Sequence, residues 1–580
     1  MMLSPQPLQR LITILLLLAV VVVVVVSWLP YPLFESLADG FMPDGNFKSL
    51  NGGNAWVYRA LLAALAAALA TLAYGVGRGR LRPWMAWLQR VGVDFRRLIG
   101  LMRPAPDEWP FLAALGAIFA LALIFRLERI NGPMMHDEAY TAVVFAVSTW
   151  NAITNYHLPN NHIFHTLLVW LSTRLFGLHP WVARLPALLA GLLLIPATYG
   201  LAKTIYDRYT ALLAALLVAA LNGPIFYATN GRGYSLVALF TLLTWWLAHV
   251  VRRQHNRAAW VLLAVFSALG CYTVPVMVFP LGVTFGWLLL ENLAERNWRF
   301  LRPWIFSGLA TVCLTLLLYS PVFIYSGIAK VTANGWVLPV AWDVFWRETP
   351  QRWLATWQQW VSGAPSVVPP ILVVGFLASL VLHPRLTHQR VPLQGVTILW
   401  VGCVLLARQV MADFKVYAFL QAPFLIWAAA GLAGPFKEVR LKFARNVALA
   451  GVVAALAIVL VALWGLPIIP TLPAHWSEKG TEERAIVYLA GQISPQDLII
   501  IASPFDAPVW YYARQVGLPD SHFNNQLPFE HLFVIVSPND AQTPESVLLE
   551  RGPAAGLWDV ASAEYIQNIG YLDIYRVPNR

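Results

Sequence analysis

The sequence predicts a polytopic α-helical membrane protein that ends in a small α/β domain, and three observations carry that expectation. Hydrophobic residues make up 58% of the chain and charged residues only 12%, whereas about a quarter of the residues of a soluble domain are charged. Apolar stretches long enough to cross a ~30 Å hydrocarbon core recur up to about residue 466, and helices satisfy their backbone polar groups within lipid. Beyond Pro467 the pattern changes to short apolar runs separated by polar turns.

The first apolar run, Leu11 to Trp28, includes the valine stretch Val20–Val26. No small-x-small cleavage site follows it, so a retained anchor is preferred over a cleaved signal peptide. A second span is expected at about 56–74. Between Arg78 and Arg103 lie seven arginines, the densest basic segment of the chain. The positive-inside rule makes that segment cytoplasmic, with the amino terminus inside and the loop 30–55 outside.

Eleven further spans are expected at about 110–127, 181–202, 210–227, 235–251, 258–274, 275–290, 304–322, 368–383, 392–407, 416–434 and 447–466, making thirteen in all. Alternate threading puts Lys203 and Arg208, Arg252, Arg253 and Arg257, Arg296, Arg299 and Arg302, Arg385 and Arg390, and the run from Lys437 to Arg445 on the cytoplasmic side. One path thus accounts for the placement of more than half of the 40 basic residues. The same placement argues against nucleic-acid binding despite a net charge of +11, because no basic face interleaved with aromatics emerges. Cys271, Cys313 and Cys403 all fall in apolar segments, so neither a disulfide framework nor a cysteine metal site is expected.

Two segments read as amphipathic helices in the outer interface rather than spans: Ala139–Tyr156 and His162–Phe176. The loop 323–366 carries Trp336, Trp342, Trp346, Trp353, Trp357 and Trp360, a density that suits an interfacial belt better than stacking on a sugar or prenyl chain. In the C-terminal domain, helices are expected at Thr481–Gly491, opened by a Thr-x-x-Arg variant of a capping box, and at Ala507–Val516. Strands are expected at Asp497–Ala502, His531–Val536 and Leu572–Val577. The expected organisation is an anchor and basic segment (1–107), a membrane domain (108–466) and an extracytoplasmic α/β domain (467–580) that docks or guides an acceptor.

The chemistry concentrates in the first outer loop after the basic segment. His136-Asp137-Glu138 begins it, and a second polar group follows at Asn160, Asn161, His162 and His165. Paired carboxylates beside a histidine are costly near lipid. Helix capping explains one acid, but not the return of polar residues on the same face. A catalytic site is therefore preferred over capping.

The ordered segments MHDEAYT, LPNNHIFHTLLVWL, FGLHPWVARLPALLAGLLLIPATYGLAK and ALLAALLVAALNGPIFYATNGRGYSLVALF resemble the family-39-type glycosyltransferases, of the protein O-mannosyltransferase superfamily with the GT-C membrane fold. The resemblance covers about 110–260 well and is looser to 466. It implies that Asp137 is the catalytic centre, with Glu138 beside it, in an inverting transfer of a monosaccharide from a polyprenyl phosphate to a hydroxyl of a protein, lipid or glycan. Such a displacement needs a base for the acceptor hydroxyl and positive charge for the departing phosphate. Arg232 and Tyr234 in NGRGYS, and Lys415 and Tyr417 in DFKVYAF, are the candidates. Lysine stands where many relatives show arginine, which keeps charge and loses bidentate geometry. An interfacial anchor is the competing reading of Arg232. His136, Asn160, Asn161, His162 and His165 are expected to bind substrate. His136, Asp137, His162 and His165 also offer donors for a divalent metal, but hydrogen bonding to sugar hydroxyls is the preferred role and no cofactor is required. A lipid-linked sugar transporter would place ionisable groups mid-span. A polysaccharide polymerase or ligase would share the outer functional loop, and a sensory or scaffold protein would need no such cluster. The early His-Asp-Glu group favours a transferase in the cell membrane.

Overall fold

The computed structural model describes residues 5–39, 55–78, 81–332, 338–411, 414–434 and 480–580. The expected fold class is borne out: apolar helices dominate, and a small α/β unit follows them. Among the described residues, seven helices are long and apolar enough to cross a membrane, or eight if one bent pair is counted as a span. Shorter apolar helices lie at Leu62–Gly77, Ile163–Phe176, Arg257–Thr273, Val368–Val381 and Leu393–Arg408. Each expected span from 11–28 to 416–434 coincides with helix. The span at 447–466, the basic run 437–445 and Trp336 lie outside the described residues.

The bent pair consists of Arg208–Ala220 and Asn222–Ala228, which meet at 62°. Leu221 leaves the helical region (φ −73°, ψ 145°), just ahead of Asn222-Gly223-Pro224. A break inside a bundle frees carbonyls that lipid cannot satisfy. Arg126, fully buried on the helix Trp109–Leu127, donates to Ala219 O at 2.9 Å and Val218 O at 3.2 Å. Its guanidinium replaces the lost helical donors. The break ends the span early and turns the chain toward the Asn230–Gly233 loop.

Helix Ala418–Ala433 packs on Val368–Val381 through glycine. A Cβ at Gly431 would stand 1.8 Å from the Gly375 carbonyl oxygen, so the backbones touch and a larger residue would force them apart. This contact positions the 3₁₀ turn Phe414–Tyr417, which carries Lys415, at the helix's amino-terminal end. At the opposite end of the bundle, ion pairs tie the basic loops: Arg208 to Asp107, Arg257 to Asp94, and Arg252 to Glu291 and Glu295.

The segment 139–156 is not the single interfacial helix that its composition suggests. It divides into a short helix His136–Tyr140, a π turn Thr141–Phe145 and a helix Thr149–Thr154. Ser148 takes an extended conformation and accepts from Asn151 N, so a new amino terminus begins there. Ile163–Phe176 is a helix as expected.

The C-terminal unit is a four-stranded sheet in the order β1-β2-β4-β3: β1 Leu498–Ile501, β2 His531–Val536, β3 Glu564–Ile569 and β4 Leu572–Pro578. Strands β1 and β2 are parallel, with Leu498 opposite Leu532, and the other pairs are antiparallel. Alternation sends Leu498, Ile500, Leu532 and Val534 to one face with Val547 and Leu548. Ile499, Ile501, Phe533 and Ile535 go to the other, under helices Thr481–Ala490 and Asp506–Gln515. That second core is continuous with Met134, Ala139, Ala142 and Val143, so the domain is packed onto the His-Asp-Glu loop.

Three details differ from expectation. Helix Thr481–Ala490 has Gly480 at its N-cap, without a side-chain bond, and Thr481 is buried inside it, so no capping box forms. Helix Pro544–Arg551 was not foreseen, because its short polar sequence sinks only Val547 and Leu548. Strand β3 is an exposed edge with an irregularity at Tyr565/Gln567, which breaks the period-two signal.

Candidate functional site

The loop Ile130–Pro133 is folded back by a single arginine. Arg184, buried near the start of helix Pro180–Ile205, donates to the carbonyls of Ile130 (2.9 Å), Gly132 (2.7 Å) and Pro133 (2.7 Å). It also pairs with Glu138 through both carboxylate oxygens. Glu138 accepts in addition from Met135 N at 2.9 Å and Gly231 N at 2.5 Å. A buried charge is tolerated when it is paired and fully hydrogen-bonded, and Glu138 meets both conditions. Its side chain is fully covered, whereas that of Asp137 is 33% exposed. Of the two adjacent acids, Asp137 is therefore the one that faces outward.

Lys415 Nζ lies 3.0 Å from Asp137 Oδ2. On the other side, His136 Nδ1 is 3.6 Å from Asp137 Oδ1, and His136 Nε2 is 3.1 Å from Asp506 Oδ1 on the C-terminal domain. Burial works to raise the Asp137 carboxyl, but His136 and the charges of Arg232 and Lys415 overcome it and hold the group well below the usual carboxylate range. Burial opposes the charged form of His136, yet Asp137 and Asp506 together push it up to about 9. Asp506 is held low by His136 and Arg551 in spite of its burial.

Arg232 is buried and acts as a clasp. Its Nη1 donates to Asn160 O at 2.7 Å, Thr141 Oγ1 at 2.9 Å and Asp137 O at 3.3 Å, and its Nη2 lies 3.0 Å from His162 Nε2. The guanidinium thus joins the two polar segments of the loop and adds charge beneath Asp137. His162 Nδ1 accepts from Gly233 N at 2.9 Å, and Tyr234 packs edge-on against the same ring at 4.9 Å. Asn161 is a strut: its Nδ2 donates to the carbonyls of Ala152 and Asn155, and its Oδ1 accepts from Thr166. His165 is buried, with neither ring nitrogen hydrogen-bonded among the described residues. Tyr417 stacks on Trp353 at 4.3 Å, which brings the tryptophan-rich helix Trp342–Trp360 beside the turn bearing Lys415.

Most of the residues singled out in the sequence thus fall into two groups. His136 and Lys415 are partly exposed and each lies against partly exposed Asp137, with Arg232 buried beneath it. Glu138, Asn161 and His162 are buried in the loop's own scaffold. Arg184, Thr141 and Asp506 were not singled out. Arg184 stands inside the quoted segment FGLHPWVARLP, where a charged residue near the start of an apolar helix is a signal in itself. Asp506 has no comparable mark. Among the described residues, a grouping of three potential metal ligands, Asp497, Glu530 and His531, lies at the starts of β1 and β2 rather than in this loop. There Asp497 already accepts from Ser494 N and His531 N.

Comparison with known proteins agrees with this architecture. Residues 160–325 match the family model for dolichyl-phosphate-mannose-protein mannosyltransferase. No curated protein matches the chain. Among solved structures, ArnT from Cupriavidus metallidurans in the apo state is similar at 14% identity, covering 79% of this chain and 97% of its own, with a TM-score of 0.52. The same protein bound to undecaprenyl phosphate aligns at 16% identity over 81% of this chain and 98% of its own, with a TM-score of 0.50. The partial family match and the shared architecture give the chain the GT-C type of membrane fold.

Proposed function

We propose that the protein transfers a monosaccharide from a polyprenyl phosphate to a hydroxyl acceptor at the extracytoplasmic face, with inversion and with Asp137 as base. The observation that carries this reading is the 3.0 Å contact between Lys415 and Asp137. A carboxylate locked to a lysine is a weak base. A donor phosphate draws the ammonium to itself, because a phosphate offers more acceptor oxygens and charge. Asp137 Oδ2 is then released while Oδ1 stays beside His136. The acceptor's hydroxyl proton passes to Oδ2, its oxygen bonds the anomeric carbon from the face opposite the phosphate, and the C1–O bond breaks with its electron pair going to the phosphate oxygen. The phosphate dianion forms against Lys415, with the buried charge of Arg232 behind it. Glu138 positions the loop through Arg184 and Gly231, and exposed Trp346 and Leu354 offer an apolar face for the prenyl chain. Binding of undecaprenyl phosphate by ArnT, which shares the fold, supports the same donor class.

The test is donor choice by the purified protein. Transfer from a polyprenyl-phosphate sugar, with nucleotide sugars ignored, is the expected result. Direct use of a nucleotide sugar without a lipid intermediate contradicts the proposal.

A further inference from the structure

We propose that the C-terminal domain supplies a positioning residue to the transferase site: Asp506, through its contact with His136, orients the imidazole that holds Asp137 Oδ1. This rests on the reading of Asp137 as base. The His136 ring stands between two carboxylates, 3.6 Å from Asp137 and 3.1 Å from Asp506. A ring flanked in this way is best served as an imidazolium with a proton on each nitrogen. The other groups around it are the Tyr140 ring at 5.7 Å, Arg551, 3.5 Å from Asp506 Oδ2, and Lys415 across Asp137.

Asp506 is the first residue of helix Asp506–Gln515, and that helix is anchored to the loop by other means. Met134 N donates to Tyr512 Oη at 3.2 Å, Arg514 donates to Val143 O at 2.8 Å, and a shared apolar core lies beneath. The domain therefore stays docked without Asp506, and the carboxylate reaches His136 from a fixed base. Its effect is to keep the imidazolium charge beside Oδ1 of Asp137, leaving Oδ2 as the atom that Lys415 vacates and the acceptor's proton enters. An extracytoplasmic domain without a catalytic motif of its own thus becomes part of the reaction geometry.

The experiment compares purified full-length wild type with Asp506→Asn, Asp506→Glu, His136→Gln and the double variant Asp506→Asn/His136→Gln, measuring kcat, donor KM and pH profile. Asp506→Asn should lower kcat about tenfold with donor KM unchanged, and move the alkaline limb down by about one unit. Asp506→Glu should recover most of the loss, and the double variant should be no slower than His136→Gln alone. A wild-type alkaline limb and kcat in Asp506→Asn overturns the proposal, as does an additive loss in the double variant. If Asp506→Asn folds poorly, His136→Gln decides: an alkaline limb near pH 9 that survives removal of the imidazole is equally fatal. Asp137→Asn run in parallel separates the two readings. Retained turnover there removes the base assignment, while the coupling between Asp506 and His136 is still read from the wild-type pH profile and its shift.

Discussion

Lys415 and Asp137 lie 278 residues apart in the chain and meet at 3.0 Å. The contact joins the turn before helix Ala418–Ala433 to the first polar loop, and both partners keep a third of their side-chain surface open. An exposed pair of this kind adds little to stability, so removing either partner should affect the reaction far more than the fold. Lys415→Ala should lose roughly 10²–10³-fold in turnover, the size expected for a lost leaving-group contact. Lys415→Arg should keep part of the activity, since charge is retained and reach is altered. Single-turnover kinetics with saturating donor check this, and an Ala variant as fast as wild type contradicts it.

Glu138 should behave in the opposite way. Its carboxylate is buried and paired with Arg184, and breaking a buried pair from one side costs ~3–5 kcal/mol. Arg184→Ala should thus lower thermal stability in detergent markedly, and Glu138→Gln less, because the amide still accepts from Gly231 N. Scanning calorimetry of the two variants measures it. Unchanged melting of Arg184→Ala contradicts the scaffold role.

Local protection at the start of helix Asp506–Gln515, which stays docked through Tyr512 and Arg514, should depend on pH. His136 is raised to about 9 from an ordinary 6.5, so its contribution is complete below pH 6.5 and is lost as pH rises through about 9. Asp506 is lowered, so its contribution is present above the normal carboxylate range and fades in acid. Hydrogen exchange of residues 506–515, corrected for the intrinsic pH dependence of amide exchange, should show weaker protection toward pH 10 in wild type. His136→Gln should lose that dependence. Equal slopes in the two proteins contradict it.

The His-Asp-Glu loop and the C-terminal domain should face the same, non-cytoplasmic side. In a background lacking Cys271, Cys313 and Cys403, cysteines at Asn131 and Ser521 should react with an impermeant reagent in intact cells. A cysteine at Gly92 should react only after permeabilisation. Labelling of the Asn131 and Gly92 sites from one side contradicts the threading.

The membrane helices were legible because burial in lipid leaves a long apolar record, and the helices lie where the runs fall. The bend at Leu221 was hidden, since Arg126 repairs it from another helix, 93 residues away from the carbonyl it reaches. Asp137 stood out through its charge in an apolar chain, and Lys415 through its place in a resembling motif. Asp506 could not be found this way. Its significance comes from the domain's packing, as does that of Tyr512, whose bond to Met134 N spans 378 residues. The division of labour between Asp137 and Glu138 was likewise invisible, because adjacent acids look alike until one is buried against Arg184.

The central claim is that Asp137 is the base, and turnover of purified, folded Asp137→Asn tests it most directly. The amide keeps the shape and cannot take the acceptor's proton, so the rate from a polyprenyl-phosphate donor should fall by roughly 10²–10⁴-fold at unchanged membrane level and melting temperature. Turnover within a few-fold of wild type would contradict the account.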